Sequence, residues 1–589
     1  MLGKIIEIVD NQVIVQLTID ISSQSNLVNL HVVFEDGTKK IIGEIVNVNQ
    51  TQMIINIVGE LREKSFLPGL SSKPSFKSVV RIITLAELES VLGSQVPSNS
   101  QTFFGFSNVY QNYRINVNIN DFFSNHFAIL GNSGSGKSCT VASIIQKLFT
   151  STPSAPLKSN IFLFDAFGEY TNAFGTLKNR NPNIAYKTYT TNTIYSESDI
   201  VKIPTWLLDV DDLALLLDVT DPNQLPILEK TLKLVPMLTG EGQDVIKYKN
   251  DIIARAIEDI LLSGANSTKI RDQVTAILTK FNTNELNLES QIVQPGYVRT
   301  LKQCLFIDKS GKFQEIELVT EFIRSFIHKE FDFSETKDHK ACFYNLSNLE
   351  EALEFALISE GVLKSEKVYD NANVLSVRLH SLVNSNNREY FEYPKFIDRD
   401  GYIAELLTDK LTGKKCQIVN FNINYVDDRL AKVITKILSK MLFSIAVEND
   451  ARGSIPFHIL IEEAHRYVQK DRDIEILGYN IFERITKEGR KYGIFLGLIT
   501  QRPSELSDTT ISQCSNFVIL RTIHPKDLDY IKNMVPNISS EIVQQLKSLQ
   551  PGNCIAFGNA FKVPISMHVE FPNPAPNSNN VDLSTVWYS

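Results

Sequence analysis

The octapeptide Gly131-Asn132-Ser133-Gly134-Ser135-Gly136-Lys137-Ser138 constrains this chain more than any other stretch. It completes the pattern G-x-x-x-x-G-K-[ST] between an apolar strand, Phe127-Ala128-Ile129-Leu130, and an apolar helical run from Val141 to Phe149. Glycines let backbone N–H groups curl around phosphates, the lysine reaches the β- and γ-phosphates, and the following hydroxyl binds magnesium. The helix behind adds its positive end to the anion site. Gly131 to Ser138, with the adjoining Cys139, are therefore the expected nucleotide-binding set, and ATP with Mg2+ the expected cofactors.

Short apolar segments of the buried type recur after the loop: 160–165, 416–420, 457–461, 494–500 and 517–521. Helical patterns alternate with them, so a mainly parallel sheet in an α/β fold is predicted. The clearest helix is 428–447, where Leu430, Val433, Ile434, Ile437, Leu438, Met441, Leu442 and Ile445 fall on one stripe. Residues 1–95 differ. They read as short strands rich in Val and Ile, with Asp36-Gly37 as a hairpin signal, and predict a small β-barrel.

The strand Phe457 to Ile461 ends in Glu462-Glu463. Phosphoryl transfer to water needs one acid on magnesium and another to orient or deprotonate the attacking water. Glu462 is assigned to the metal with Ser138, and Glu463 to the water. A helix start favouring acidic residues is the bland alternative. Gln501, at the end of strand 494–500, is a candidate sensor of the γ-phosphate. Arg490, in Lys487-Glu488-Gly489-Arg490-Lys491, is a candidate to reach a neighbouring subunit's nucleotide, with Arg521 as a second. Asp165 and Glu169 either face the metal or make a polar turn. His458 and His465 flank the acidic pair and are read as structural, since a third ligand is lacking.

Lys137 and Glu463 stand 326 positions apart. A phosphate-loop core does not need that much chain, so the helix-rich stretches between them are predicted to be insertions. The expected organisation is a barrel at 1–95, a linker at 96–121, the first part of the core at 122–204 and mainly helical insertions at 205–410. The second part of the core follows at 411–570, then an extension at 571–589.

Charge and cysteine usage narrow the setting. The 59 basic residues against 67 acidic ones leave a net charge of −8. That excludes a wholly basic nucleic-acid coat, though a motor needs its lysines only along one channel. The six scattered cysteines contain no Cys-x-x-Cys pair, so reduced thiols are expected. With no apolar run of membrane length and charges early in the N-terminus, no membrane is expected and a cytoplasmic location is.

Six segments together resemble the HerA family of hexameric ATPases, within the HerA and FtsK group of motors. They are 126–138 (HFAILGNSGSGKS), 162–170 (FLFDAFGEY), 203–217, 457–468 (FHILIEEAHRYV), 485–506 (ITKEGRKYGIFLGLITQRPSEL) and 551–564 (PGNCIAFGNAFKVP). The resemblance implies an N-terminal barrel of the ATP-synthase type, a RecA-like core and an inserted helical bundle. It also implies a homo-hexamer with ATP at subunit interfaces and double-stranded DNA in the central channel. Lys137 and Ser138 then bind nucleotide and magnesium, Glu463 is catalytic, Gln501 senses phosphate and Arg490 acts in trans.

The family usually has Asp before the catalytic Glu; this chain has Glu462, whose extra methylene shifts the carboxylate. Members work with an effector, a NurA-like or other nuclease, or a sirtuin-type NADase in bacterial antiviral defence. Composition without dense ion-pair runs favours a mesophilic host and so a defence setting. Two other readings stand beside the translocase: a nucleotide-regulated ring scaffold that assembles an effector, and a protein-remodelling ATPase.

Overall fold

The computed structural model describes residues 1–18, 27–63, 65–69, 72–151, 154–194, 199–239, 242–309, 311–328, 342–359, 366–534, 540–578 and 583–588. Its first strands are β1 (Gly3–Val9), β2 (Gln12–Leu17), β3 (His31–Asp36), β4 (Lys39–Val48), β5 (Gln52–Arg62), β6 (Ser65–Pro68) and β7 (Val79–Ile82). They form one antiparallel sheet in the order β1-β2-β5-β4-β3-β7, with β6 on β5. Leu2 N–H donates to the Val80 carbonyl at 2.8 Å, which brings the two edges together. Val13, Val15, Val32, Phe34, Ile41, Ile45, Met53 and Ile55 alternate inward and fill the interior. The predicted hairpin is β3–β4, turning at Gly37 with φ 62. β6 and β7 are additions that the strand pattern did not reveal.

Glu44 points into a partly buried place beside His31, its cross-strand partner. Burial pushes its carboxyl up from 4.5 to about 7. A raised acid contributes stability below its unfolded value, which is lost as the pH climbs through the folded value. We expect Glu44→Gln to gain thermal stability over the wild type above pH 7, by at most about 3 kcal/mol, and to gain nothing at pH 4. Thermal midpoints at the two pH values check this.

The remaining strands are β8 (Gln101–Ser107), β9 (Arg114–Asn118), β10 (Phe127–Leu130), β11 (Ile161–Asp165), β12 (Tyr186–Thr190), β13 (Asp199–Ile200), β14 (Gln291–Gln294), β15 (Tyr297–Thr300), β16 (Ile418–Asn422), β17 (Phe457–Ile461), β18 (Ile494–Thr500), β19 (Asn516–Leu520), β20 (Asn553–Gly558) and β21 (Phe561–Val569). All but β14 and β15 join one sheet, in the order β13-β12-β16-β11-β17-β18-β10-β19-β20-β21-β8-β9. From β12 to β19 every pairing is parallel, as predicted. From β19 to β9 every pairing is antiparallel.

The segment 96–121, expected as a linker, instead carries β8 and β9 and extends the main sheet. Phe103 and Phe104 are buried there. Its Ser- and Asn-containing approach hid two strands that pack by their aromatic faces. The phosphate-loop strand β10 lies between β18 and β19, and the acidic strand β17 lies one strand further out. The helix Lys137–Thr150 buries Val141, Ala142, Ile144, Ile145, Leu148 and Phe149. The predicted long helix spans Asp428–Glu448, with the Asp427 carboxylate accepting from Leu430 N–H at 2.8 Å.

Residues 200–402 with 472–479 make a second compact unit. It is mainly helical, with helices Leu225–Leu238, Gln243–Leu261, Ser267–Lys280, Leu346–Ser359 and Glu366–Val383, and the separate hairpin β14–β15. Leu346–Ser359 packs along Leu225–Leu238. Among the described residues no helix is long and apolar enough to cross a membrane.

Candidate active site

The phosphate loop leaves β10 at the carboxyl ends of the parallel strands, where loops of open α/β sheets gather their ligands. It is pinned on both sides. Gly131 N–H donates to the Thr500 carbonyl beyond β18 at 3.2 Å, and Asn132 N–H to the Arg521 carbonyl beyond β19 at 2.9 Å. Gly136 caps the following helix in the left-handed region, φ 99, and a Cβ there would lie 3.2 Å from the Gly552 nitrogen. Only glycine fits that turn without strain.

A cavity of about 410 Å³ opens over the loop. Ser133, Gly134, Gly136, Lys137, Ser138 and Cys139 line it, as do Glu169, Glu462 and Glu463. Gly131, Asn132 and Ser135, predicted to bind nucleotide with the rest, lie behind this wall and brace it: Ser135 is fully buried and its carbonyl accepts from Gly552 N–H at 3.1 Å.

The acidic pair arrives from β17. Glu462 and Glu463 are almost completely buried. Glu462 Oε1 accepts from Tyr170 OH at 3.1 Å and lies 3.5 Å from Ser138 Oγ. The longer arm of Glu462 thus still ends at the loop hydroxyl. Glu463 holds a left-handed backbone, φ 47, an uncommon conformation for a residue with a side chain. This turn starts the short 3-10 helix Ala464–Arg466 and leaves the Glu463 carboxylate facing the cavity.

Burial raises the Glu462 carboxyl well above its usual range, and the neighbouring Asp165, Glu169 and Glu463 push the same way. Glu463 is also raised by burial, against the pull of Lys137. Lys137 is lowered by burial, with Glu463, Glu462 and Glu169 opposing the shift. Glu169 Oε2, Glu462 Oε2 and Glu463 Oε2 are buried and find no hydrogen-bond donor among the described residues. Buried acceptors without donors are costly. Among the described residues no three acids group as a metal cage; Ser138 Oγ with the Glu462 carboxylate 3.5 Å away fits a magnesium ion whose remaining ligands are phosphate oxygens and water.

The turn after β11 divides its two acids. Asp165 Oδ1 accepts from the backbone N–H groups of Phe167, Gly168 and Glu169, at 3.3, 2.7 and 3.1 Å. Its Oδ2 accepts from Tyr170 N–H at 3.1 Å and Asn420 Nδ2 at 3.2 Å. Asp165 builds the polar turn, and Glu169 faces the cavity. Gln501 reaches the loop, with its Oε1 accepting from Ser133 Oγ at 2.5 Å.

The arginines separate. Arg490 is exposed and precedes β18, so it lies at the amino ends of the parallel strands, away from the cavity at their carboxyl ends. The structure does not bring it to Glu463. Arg521 sits beside the loop at the end of β19, with its Nε buried and without a hydrogen-bond partner among the described residues.

The wall of the cavity formed by the C-terminal strands was not foreseen. It is made by Pro551 and Gly552, by His568 to Pro572 at the end of β21, and by Ser578. Phe571 is 69% exposed there. The segment beyond is not a loose extension. Gln146, on the loop helix, donates to the Pro574 carbonyl at 2.9 Å and accepts from Asn573 N–H at 3.0 Å, while Asn577 N–H donates to the Glu169 carbonyl at 2.8 Å. No periodic apolar pattern marks such a strap, because amides and carbonyls hold it.

The family model of the helicase HerA central domain matches residues 105–442, more than half of the chain. A probable helicase of Methanocaldococcus jannaschii is 25% identical over 481 residues, covering 81% of this chain and 72% of its own length. The DNA double-strand break repair helicase HerA of Pyrococcus furiosus is 22% identical over 465 residues, covering 78% of this chain and 67% of its own. Among solved structures, VirB4 of Thermoanaerobacter pseudethanolicus aligns with 81% of this chain and 98% of that one, at 13% identity and a TM-score of 0.42. The bacterial conjugative coupling protein TrwB aligns with 85% and 95%, at 10% identity and a TM-score of 0.44.

Proposed function

The chain belongs to the family of the helicase HerA central domain and is an ATPase of the helicase class; from that premise we propose that it is a ring-forming, ATP-driven translocase on double-stranded DNA that serves an effector protein. The observation that carries the reading is the convergence of Lys137, Ser138, Glu462 and Glu463 on one cavity, with Gln501 bonded to Ser133 in its wall and donor-less carboxylate oxygens beside the phosphate loop. A pure nucleotide sensor needs the loop but no such acids.

The division of labour follows from the positions. The loop N–H groups and Lys137 take the phosphate charge. Ser138 and Glu462, steadied by Tyr170, would hold a magnesium ion, which would supply positive charge to offset that of the phosphates. Glu463 accepts the proton of the attacking water or aligns it. Gln501, already in contact with Ser133, reports whether the γ-position is filled. Arg490 points away from its own cavity, so any action on a nucleotide is on that of an adjacent subunit, which supports the ring. The homo-hexamer, the channel DNA and the effector, a nuclease or a sirtuin-type NADase in antiviral defence, complete the proposal.

ATP hydrolysis measured with and without linear duplex DNA tests it. Several-fold stimulation by duplex, steeply weakened between 50 and 200 mM salt as phosphate contacts are screened, is the expected result. Hydrolysis indifferent to every DNA form refutes translocation.

Phe571 offers a flat apolar face on the C-terminal wall of the cavity. Phe571→Ala is expected to weaken ATP binding about tenfold, as loss of a base-stacking ring costs roughly 1–3 kcal/mol. Competition by pyrophosphate, which has no base, stays unchanged. Titration with a fluorescent ATP analogue, displaced by each ligand, checks both.

A further inference from the structure

His465 lies three residues after Glu462 and is nearly buried, with 8% of its surface exposed. Its Nδ1 stands between two oxygens. One is Thr500 Oγ1 at 2.9 Å; the other is Glu463 Oε2 at 3.2 Å. The first is a hydrogen bond; the second is a close approach, since Glu463 Oε2 makes no hydrogen bond among the described residues. Thr500 Oγ1 also accepts from Arg502 N–H at 3.0 Å, and Gln501 between them touches Ser133 of the phosphate loop. One imidazole therefore joins the acidic turn after β17 to the Gln501 turn after β18. The two strands lie side by side, in parallel register from Phe457 opposite Ile494 to Ile461 opposite Leu498.

We infer that His465 is a positioning residue for ATP hydrolysis: through Nδ1 it aims the Glu463 carboxylate and ties it to the Thr500–Gln501 segment. The inference rests on the reading of Glu463 as the group that handles the attacking water. Chemically it is economical. A carboxylate only accepts hydrogen bonds, and His465 Nδ1, 3.2 Å away, is a side-chain nitrogen that a small turn of the ring brings into hydrogen-bonding line with Glu463 Oε2. With a proton on Nδ1 the ring has one N–H on that side, and Thr500 Oγ1 and Glu463 Oε2 stand within reach of it. A shift of the Gln501 turn moves Thr500, and the ring then turns its N–H toward the Glu463 carboxylate or away from it, with no proton transferred. Glu463 is thereby coupled to the state of the γ-phosphate position without touching it.

The choice of nitrogen makes the test sharp. Asn at 465 places an amide N–H near the Nδ1 position, whereas Gln places its amide near Nε2, and Leu keeps volume without a donor. With the full chain, kcat for ATP is expected to fall about tenfold to a hundredfold in His465→Gln and His465→Leu, as for lost orienting partners in other sites. KM and binding of a fluorescent ATP analogue should stay at wild-type values, because no ground-state contact to nucleotide is removed. His465→Asn should restore most of kcat. Thr500→Val should reproduce the loss and Thr500→Ser should not.

In a Glu463→Gln background, His465→Leu should change the residual rate by less than about twofold, since both act through one carboxylate. Wild-type kcat in the Gln and Leu variants overturns the inference. So does a further large drop in the Glu463→Gln background, or an Asn variant as slow as Leu. A fall in the thermal midpoint of His465→Leu with loss of nucleotide binding marks a structural role and also overturns it, with the Thr500 pair as the independent check. If Glu463→Gln alone leaves hydrolysis intact, it is the assignment of Glu463 that fails.

Discussion

Replacing Glu463 by Gln is expected to lower the turnover of ATP about a thousandfold while leaving nucleotide binding intact or tighter. General-base assistance accounts for roughly 10²- to 10⁴-fold, and the amide keeps the shape but cannot take a proton. Binding survives because the phosphate loop and Lys137 are untouched. It tightens because one of three buried acids beside the incoming phosphates becomes neutral. The same substitution should raise the thermal midpoint of the nucleotide-free protein, since burial already disfavours the ionised Glu463. Phosphate release, titration with a fluorescent ATP analogue and a thermal melt measure the three effects. Unimpaired turnover removes Glu463 from the chemistry.

Lys137→Ala should fail earlier, at binding. Losing one partner of a buried charge pair costs about 2–5 kcal/mol, so ATP affinity is expected to drop at least 30-fold and hydrolysis to disappear at ordinary ATP concentrations. The loss is larger than that of one contact. The lysine is the cation that offsets Glu169, Glu462 and Glu463, and without it the phosphates enter a cavity of uncompensated acids. Magnesium should therefore rescue binding only at raised concentration. The two variants separate the roles: Glu463→Gln binds and stalls, whereas Lys137→Ala does not load.

Much of the site was legible because its chemistry is written in short contiguous runs. The loop between β10 and its helix, and the acids ending β17, each combine a buried strand with residues that do not belong in one. Strand order is another matter. Nothing local to Phe127–Leu130 says that β18 will lie between it and β17, yet that placement delivers Gln501 to Ser133 and Thr500 to His465. Asp165 and Glu169 looked equivalent in sequence. They part only because Asp165 spends both oxygens on backbone N–H groups, leaving Glu169 for the cavity. His465 was read as structural for want of metal partners; its partners are a hydroxyl and a carboxylate brought in by neighbouring strands. The strap after β21 and the strands β8 and β9 escaped for the reasons already given, amide bonding in one and aromatic packing in the other.

The pairing of β21 with β8 has a bearing on how the chain is made. Asn108 just beyond β8 donates to Ser566 in β21 across 458 residues of sequence. At about 5–20 residues per second, roughly 20–90 s of synthesis separate them. Throughout that interval the ribosome-bound chain carries an edge rich in phenylalanine, Phe103, Phe104 and Phe106, whose partner strand does not yet exist. β11 waits in the same way for β16. Such a nascent chain is a client for holding chaperones, and slowing translation late in the message should lower the yield of native protein more than slowing it early.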